Sequence, residues 1–537
     1  MKLEGLCPLT TAEALRRAVA IAPDLDAVVT ERDRMTYAEL DDVVRRLRSA
    51  LAARGVRRGT RVGLCLGNEP TWVALFLAIS SLGAVTVPVN TRFRTDEFAQ
   101  VLRQARVEVL FLTETVLTNN MMGMLRQVCP EVDTALPSHG LPDLAAVVVV
   151  DGSVPAAATT WTEFLAGAGA DVPPTCTPDD VALIQSTSGT TSYPKGVLLT
   201  HRSMCANAFF SGGRMGFRIG DRFHSARPFF HVAGSTLSVL SALQHVITLV
   251  TMPKFDAGQA LELMERERCT HFSGNDTIAL LLLNHPDRPH RNLTLRGAWV
   301  AASSAVIERV IRELGAAECV AGYGLSESSP NVAQSAWWED EATRIAAKMR
   351  IEPGLEVRIR ALDTDADCPP GDNGEILVRG WSLMQGYDDM PDETAHAIDA
   401  AGWLHTGDLG NLDEDGRLSF VGRAKEIIRV GGENVSPAEV EDALHRHPAI
   451  KQAVVVGVPD PRLIEVPFAF VVLNDGQTLE SDDILDWLRP RIAGFKVPKY
   501  AQVVDGFDGI GMTASSKIQK RHLATHAETL LSERVSE

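Results

Sequence analysis

From Thr36 to Gly55 apolar side chains return every three or four positions, with mostly charged residues between them. That is the spacing of a helix with one buried face. Thr36, with Glu39 three residues on, supplies a capping box, and Gly55 supplies the stop. The pattern then changes. Residues 61–66 form an apolar run expected to be a buried strand, 69–81 a buried helix, 84–89 a strand, 94–104 a helix and 107–112 a strand. Alternation of this kind implies a parallel sheet, because each crossover helix returns the chain to start the next strand in the same direction.

The signal weakens over 119–140, returns as a strand at 145–150, and gives way to a proline-bearing linker at 167–180. Two apolar runs follow, 181–184 and 196–199, joined by a polar segment, which predicts a hairpin tip at a sheet edge. A helix and a strand are expected within 201–253, with helical segments at 262–268 and 279–283. Beyond Glu352 the pattern shortens to strands at 357–360, 375–378 and 418–421, which predicts a β-rich subdomain. After a boundary at Gly422 to Lys425, helices at 439–447 and 482–491 and strands at 452–458 and 468–473 describe a small unit. The expected fold class is α/β. A large N-terminal domain (residues 1–422) holds doubly wound βα sheets and the β-rich subdomain, and a small α+β C-terminal domain covers residues 423–537.

At 537 residues the chain exceeds one ordinary core. Its formal charge of −17 argues against nucleic acid or an anionic membrane surface as partner, so a bound nucleotide must meet a few local cations. Eight scattered cysteines, with no Cys-x-x-Cys pair, suit a reduced, cytoplasmic chain. No signal peptide is expected, since the first residues include Glu4 and no long apolar run. Residues 72–89 and 232–250 are uncharged but interrupted by polar residues, and read as buried helix-then-strand pieces rather than membrane spans.

The polar segment between the hairpin strands reads Ser186-Thr187-Ser188-Gly189-Thr190-Thr191-Ser192-Tyr193-Pro194-Lys195-Gly196. Glycine lets backbone N–H groups approach an anion, hydroxyls add donors, and lysine adds a mobile charge, a composition suited to phosphate. A polar surface turn is the plain alternative. It is not a Walker loop, because Lys195 lies between Pro194 and Gly196, where no helix is expected to start. Farther on, Tyr323 offers an aromatic face for adenine, Ser326 a hydroxyl for phosphate and Glu327 a hard oxygen for Mg²⁺, although a helix cap at Ser326 would also fit. Asp408 follows a glycine turn and could accept two ribose hydroxyls or bond its own backbone. His231, after two phenylalanines, suits either a pocket wall or a core position.

Taken together and in order, these segments resemble the signatures of the AMP-forming adenylating enzymes, whose phosphate loop is usually T-S-G-T-T-G-x-P-K-G. The resemblance extends through Pro228 to Gly234, Val320 to Ser328, Gly374 to Tyr387, Trp403 to Asp408, Gly422 to Glu441 and Met512 to Lys520, and so covers essentially the whole chain. It implies a nucleotide and cofactor site of Thr187, Ser188, Gly189, Thr190, Thr191, Ser192, Lys195, Gly322, Tyr323, Gly324, Asp408 and Arg423. Lys517, Glu327 and Ser326 would be catalytic, with Lys517 bridging the acyl carboxylate and the α-phosphate and Glu327 serving as the Mg²⁺ ligand. His231, Gly234, Ala301 and Ala302 would border the acyl pocket, Gly431 and Gly432 would line a pantetheine tunnel, and Lys425 would be the hinge of a mobile C-terminal domain.

The sequence departs from the family pattern at Ser192 and Ser516, where glycine is usual, at Gly511 near a usual proline, and at Ile464 before Glu465. None removes a charged group that the resemblance makes catalytic. The implied function is an ATP-dependent carboxylate–CoA ligase that uses ATP, Mg²⁺ and coenzyme A, releases AMP and pyrophosphate, and acts on a fatty or alicyclic acid. An aryl acid, or a carrier protein as acceptor, are the alternatives; no carrier-domain signature is attached to the chain. A nucleotide-sensing pseudoenzyme would require loss of Lys517, Glu327, Asp408 or Arg423, and all four are present.

Overall fold

The computed structural model describes residues 2–187, 195–362, 364–431, 433–507, 510 and 518–536, with side chains described through 532. Four larger sheets organise them. In one, the strands Arg61–Cys65, Val85–Pro88, Val109–Thr113 and Ala146–Asp151 lie parallel, joined by helices Pro70–Ser81 and Thr95–Gln104 in the expected alternation. Helix Pro70–Ser81 is apolar all round and accordingly almost wholly buried. Its side chains share one continuous core with Val62 and Leu183 of this sheet and Val28 and Leu249 of the next.

The second large sheet runs Glu318–Val320, Gly297–Ala301, His271–Asn275, Arg222–Ser225, Thr248–Val250, Asp26–Val29, Arg34–Thr36, and only the last pair is antiparallel. Helix Tyr37–Ala53 carries the expected Thr36–Glu39 capping box. The weakly patterned stretch after 119 contains helix Met121–Val128, capped by Asn120, whose side chain accepts the Gly123 N–H at 2.6 Å. That helix is too short for a long periodic signal. The expected helix at 262–268 is displaced: it spans Ala257–Arg266, and Arg268 already has φ +50°.

The β-rich part begins earlier than the sequence suggests. A seven-stranded antiparallel sheet starts at Gly322–Gly324 and runs through Asn331–Gln334, Met349–Ile351, Arg417–Arg423, Leu404–Leu412 and Gly374–Arg379 to Glu356–Arg360. Its first strand is so short that only pairing with its partner defines it as a strand. Residues 428–531 supply every buried member of two further hydrophobic clusters, built on the sheet of Glu433–Val435, Ile428–Val430, Ile464–Leu473 and Ile450–Asp460, with Tyr500–Val503 parallel beside the third. No helix among the described residues is long and apolar enough to cross a membrane.

Candidate functional site

Strands Val181–Thr187 and Lys195–Thr200 pair antiparallel at the edge of their sheet, with Thr187 opposite Lys195. Ser188, Gly189, Thr190, Thr191 and Ser192 lie outside the described residues. So do Gly432 and Lys517. At the mouth of the hairpin the Thr187 hydroxyl donates to the Lys195 carbonyl at 3.4 Å. The Lys195 ammonium pairs with Glu393 and sits 4.7 Å from the centre of the Tyr387 ring. Tyr387 is fixed by backbone: Leu198 N–H donates to Gly386 O at 3.0 Å and Asp388 N–H to Gly196 O at 2.8 Å.

The Tyr387 hydroxyl then donates to Glu327 Oε1 at 3.0 Å, so one aromatic side chain touches both the hairpin lysine and the proposed metal ligand. Glu327 lies in the 3-10 turn Ser326–Ser328, and its carbonyl accepts Met384 N–H at 2.8 Å. The Ser326 hydroxyl makes no hydrogen bond among the described residues, and the capping position falls on Leu325 instead.

Gly322, Tyr323 and Gly324 form the edge strand just before this turn. A Cβ on Gly324 would lie 2.0 Å from the Pro330 carbonyl, and one on Gly322 would lie 2.6 Å from the Trp299 ring. Packing thus explains both glycines without a nucleotide. Tyr323 is buried, stacks on Phe420 at 5.3 Å, and donates its hydroxyl to Asp408 Oδ2 at 2.9 Å. One face of the ring expected to meet adenine is therefore occupied by Phe420.

Asp408 and Arg423 stand opposite each other on adjacent strands, with Arg423 Nε 3.5 Å from Asp408 Oδ1. Burial raises the Asp408 carboxyl above its ordinary range, against the opposing pull of Arg423 and the Tyr323 hydroxyl. Glu327 and Glu426 push it further the same way. The strand therefore presents a buried carboxyl that Arg423 faces and that lies within electrostatic reach of Glu327.

His231 is exposed, not a core residue; it caps the short helix Val232–Gly234, its Nδ1 accepting Ala233 N–H at 3.2 Å. Gly234 does not leave pocket space, because a Cβ there would sit 2.0 Å from the Pro228 carbonyl. Ala301 is exposed at the end of its strand and Ala302 follows half-buried. Arg423 and Lys425 are exposed, Lys425 within the 3-10 turn Ala424–Glu426. Gly431, at φ +60°, turns the chain after Val430 and donates its N–H to Leu463 O at 2.8 Å. Sequence reasoning passed over Tyr387 and Phe420. The Gly386-Tyr387 pair was a signal for the first, but nothing in the sequence pairs Phe420 with Tyr323.

Two parallel-rich sheets, an antiparallel sheet carrying Tyr323, Asp408 and Arg423, and a Lys195 joined to Glu327 through Tyr387 give the arrangement in which the family match falls, that of the adenylate-forming enzymes. The AMP-binding enzyme family matches residues 15–388 and the AMP-binding enzyme C-terminal domain matches residues 439–517, and the chain belongs to that family. It is an AMP-forming acid–thiol ligase of the acyl-CoA synthetase type. It is 35% identical to the 3-[(3aS,4S,7aS)-7a-methyl-1,5-dioxo-octahydro-1H-inden-4-yl]propanoyl:CoA ligase of Rhodococcus jostii (strain RHA1), over 96% of this chain and 98% of that one. It is 32% identical to the mitochondrial medium-chain acyl-CoA ligase ACSF2 of Bos taurus, over 98% of this chain and 88% of the relative. The fold is shared with the anthranilate CoA ligase AuaEII, solved with anthranoyl-AMP, at a TM-score of 0.88 and 24% identity, covering 99% of this chain and 100% of that one.

Proposed function

We propose that the chain activates a fatty or alicyclic carboxylic acid and transfers it to coenzyme A. A carboxylate oxygen of the acid attacks the α-phosphorus of ATP and pyrophosphate leaves; the CoA thiolate then attacks the acyl carbon and AMP leaves. The observation that carries the reading is the Lys195–Tyr387–Glu327 chain of contacts, which ties the phosphate hairpin to a carboxylate beside Asp408. In this reading Asp408 and Arg423 hold the ribose, Tyr323 and the Gly322–Gly324 strand border the base, and Ser326 donates to the α-phosphate. Thr187, Lys195 and the hairpin residues 188–192 hold the β- and γ-phosphates.

Among the described residues no group of three metal-ligating side chains occurs. A lone Glu327, held by Tyr387, nevertheless fits Mg²⁺, which is commonly bound by one or two carboxylates plus substrate phosphates. When bound, the ion would neutralise phosphate charge. Lys517 would add the positive charge at the reacting centre. Residues 1–422 form the larger domain and 423–537 the smaller, which turns about Lys425 between the two steps. The names of the Rhodococcus and ACSF2 relatives support an alicyclic or aliphatic acid here.

A panel of aliphatic, alicyclic and aryl acids with ATP and CoA should release AMP and pyrophosphate, and ADP as the nucleotide product would sink the reading. Lys517→Ala should lose adenylate formation while still converting preformed acyl-AMP to thioester. Gly432→Leu should impair the thioester step preferentially, and equal loss of both steps would remove the tunnel assignment.

A further inference from the structure

Arg227 follows the strand Arg222–Ser225 at the carboxyl end of the mostly parallel sheet, the end at which such sheets bind ligands. Ser225, Ser273 and Trp299 stand side by side in register on one face. The Ser225 hydroxyl meets Ser238 at 2.8 Å and Ser273 at 3.0 Å, so the segment Ser235–Leu240 covers that face. The Arg227 guanidinium reaches over the same face to lie 4.1 Å from the Trp299 ring. The same ring abuts Gly322, and Ala301 and Ala302 continue the Trp299 strand. Arg227 thus lies against Trp299, two residues before Ala301 on the same strand, and itself precedes His231 by four residues.

Its surroundings are unusual for a cation. Arg227 is 8% exposed, forms no ion pair among the described residues, and its Nη2 is buried without a hydrogen-bond partner. Burial alone pulls its pKa down to about 9, with no neighbouring carboxylate to oppose the shift. Arg214 shows what a structural arginine does at equal burial: it donates to Gln334 O at 2.8 Å and Ile351 O at 2.7 Å, and faces Glu352 at 3.5 Å. A buried cation without such partners is costly unless something else supplies them. Stacking on Trp299 satisfies the guanidinium face but leaves its N–H edge unmet. Nearby in sequence on the covering segment, Thr236 Oγ1 is also buried without a partner.

We propose that Arg227 determines acid specificity by donating to an acceptor oxygen, an oxo group or a second carboxylate, on the part of the acid remote from the carboxyl that is activated. This assignment rests on the ligase reading above. A plain hydrocarbon acid would enclose the unpaired guanidinium with nothing to accept from it, and sites built to hydrogen-bond a substrate group discriminate strongly against analogues lacking it.

The test compares 3-cyclohexylpropanoate, 3-(4-oxocyclohexyl)propanoate and 3-(4-carboxycyclohexyl)propanoate as substrates, by kcat/KM for pyrophosphate release. Wild type should favour the oxo or the carboxy acid over the plain one by about 10- to 100-fold, and the favoured member identifies the acceptor. Arg227→Met should bring that ratio close to one, and Arg227→Lys, which keeps the charge without the planar fork, should leave an intermediate ratio. A ratio unchanged in Arg227→Met, with the acids still activated, overturns the assignment alone. A wild type that favours the plain acid does so without any variant. No pyrophosphate from any acid would overturn the ligase reading and this assignment with it.

Discussion

Asp442 Oδ1 accepts the backbone N–H of Ala305 at 3.1 Å. Ala305 is the second residue of helix Ser304–Leu314, whose own capping residue, Ser303, makes no side-chain cap bond. The cap is supplied from the separate helix Pro437–His445, and Asp276 completes it by accepting Ser303 N–H at 3.0 Å. Two carboxylates thus share one helix N-terminus, where the backbone dipole favours negative charge. If residues 423–537 turn as a unit, this bond must break. Removing a helix cap costs about 1 kcal/mol, roughly a five-fold change in a docking equilibrium. Asp442→Ala should speed limited proteolysis near Lys425 and slow ATP–pyrophosphate exchange several-fold, with Asp442→Asn closer to wild type. Unchanged cleavage and exchange would mean the contact holds nothing in place.

The same cluster holds a carboxyl with a raised pKa. Burial, reinforced by Glu441 and Asp442, raises Asp276 to about 7 against the opposing Ser303 N–H and Lys520. A raised carboxyl contributes stability that is complete below the unfolded value near 3.8 and is lost as pH rises through about 7. Asp276→Asn keeps an acceptor for Ser303 and removes the ionisation. Its urea midpoint relative to wild type should be higher at pH 8 than at pH 5. An equal difference at both pH values would exclude ionisation of Asp276 as the source.

Tyr387→Phe removes the hydroxyl that holds Glu327 and keeps the ring beneath Lys195. Loss of a hydrogen bond to a charged group should raise the KM for ATP·Mg²⁺ by about 10-fold, with the thermal midpoint little changed. A fall in stability with unchanged KM would make Tyr387 a packing residue.

Gly234→Ala forces a Cβ to within 2.0 Å of the Pro228 carbonyl, a backbone atom that cannot rotate away. Overpacking of this kind should cost about 1–3 kcal/mol in chemical denaturation. A neutral outcome would show that the turn from Pro228 to His231 relaxes freely.

Much of this was legible in the chain because the signals are local. Thr36 and Glu39 cap the helix they begin, and the runs at 61–66, 84–89 and 107–112 became parallel strands because short apolar segments separated by helices have few other arrangements. The hairpin beside Lys195 was equally visible. The third sheet was misjudged at its start, since Gly322–Gly324 is a strand only by virtue of Asn331–Gln334 beside it. At Gly234 the need for glycine is likewise tertiary: the place a Cβ would take is filled by the Pro228 carbonyl.

The sequence by itself determined the class of chemistry, because Thr187, Lys195, Glu327, Asp408 and Arg423 lie in ordered local motifs whose spacing a linear reading preserves. Only the tertiary structure decided how they meet. Tyr387 joins Lys195 to Glu327, Phe420 covers one face of Tyr323, and Asp442 caps a helix that starts more than a hundred residues earlier. It also left Arg227 buried without an anion. Pairings across such separations depend on sheet order and helix packing, which no local pattern records, and a buried charge reveals its missing partner only when its surroundings are in place.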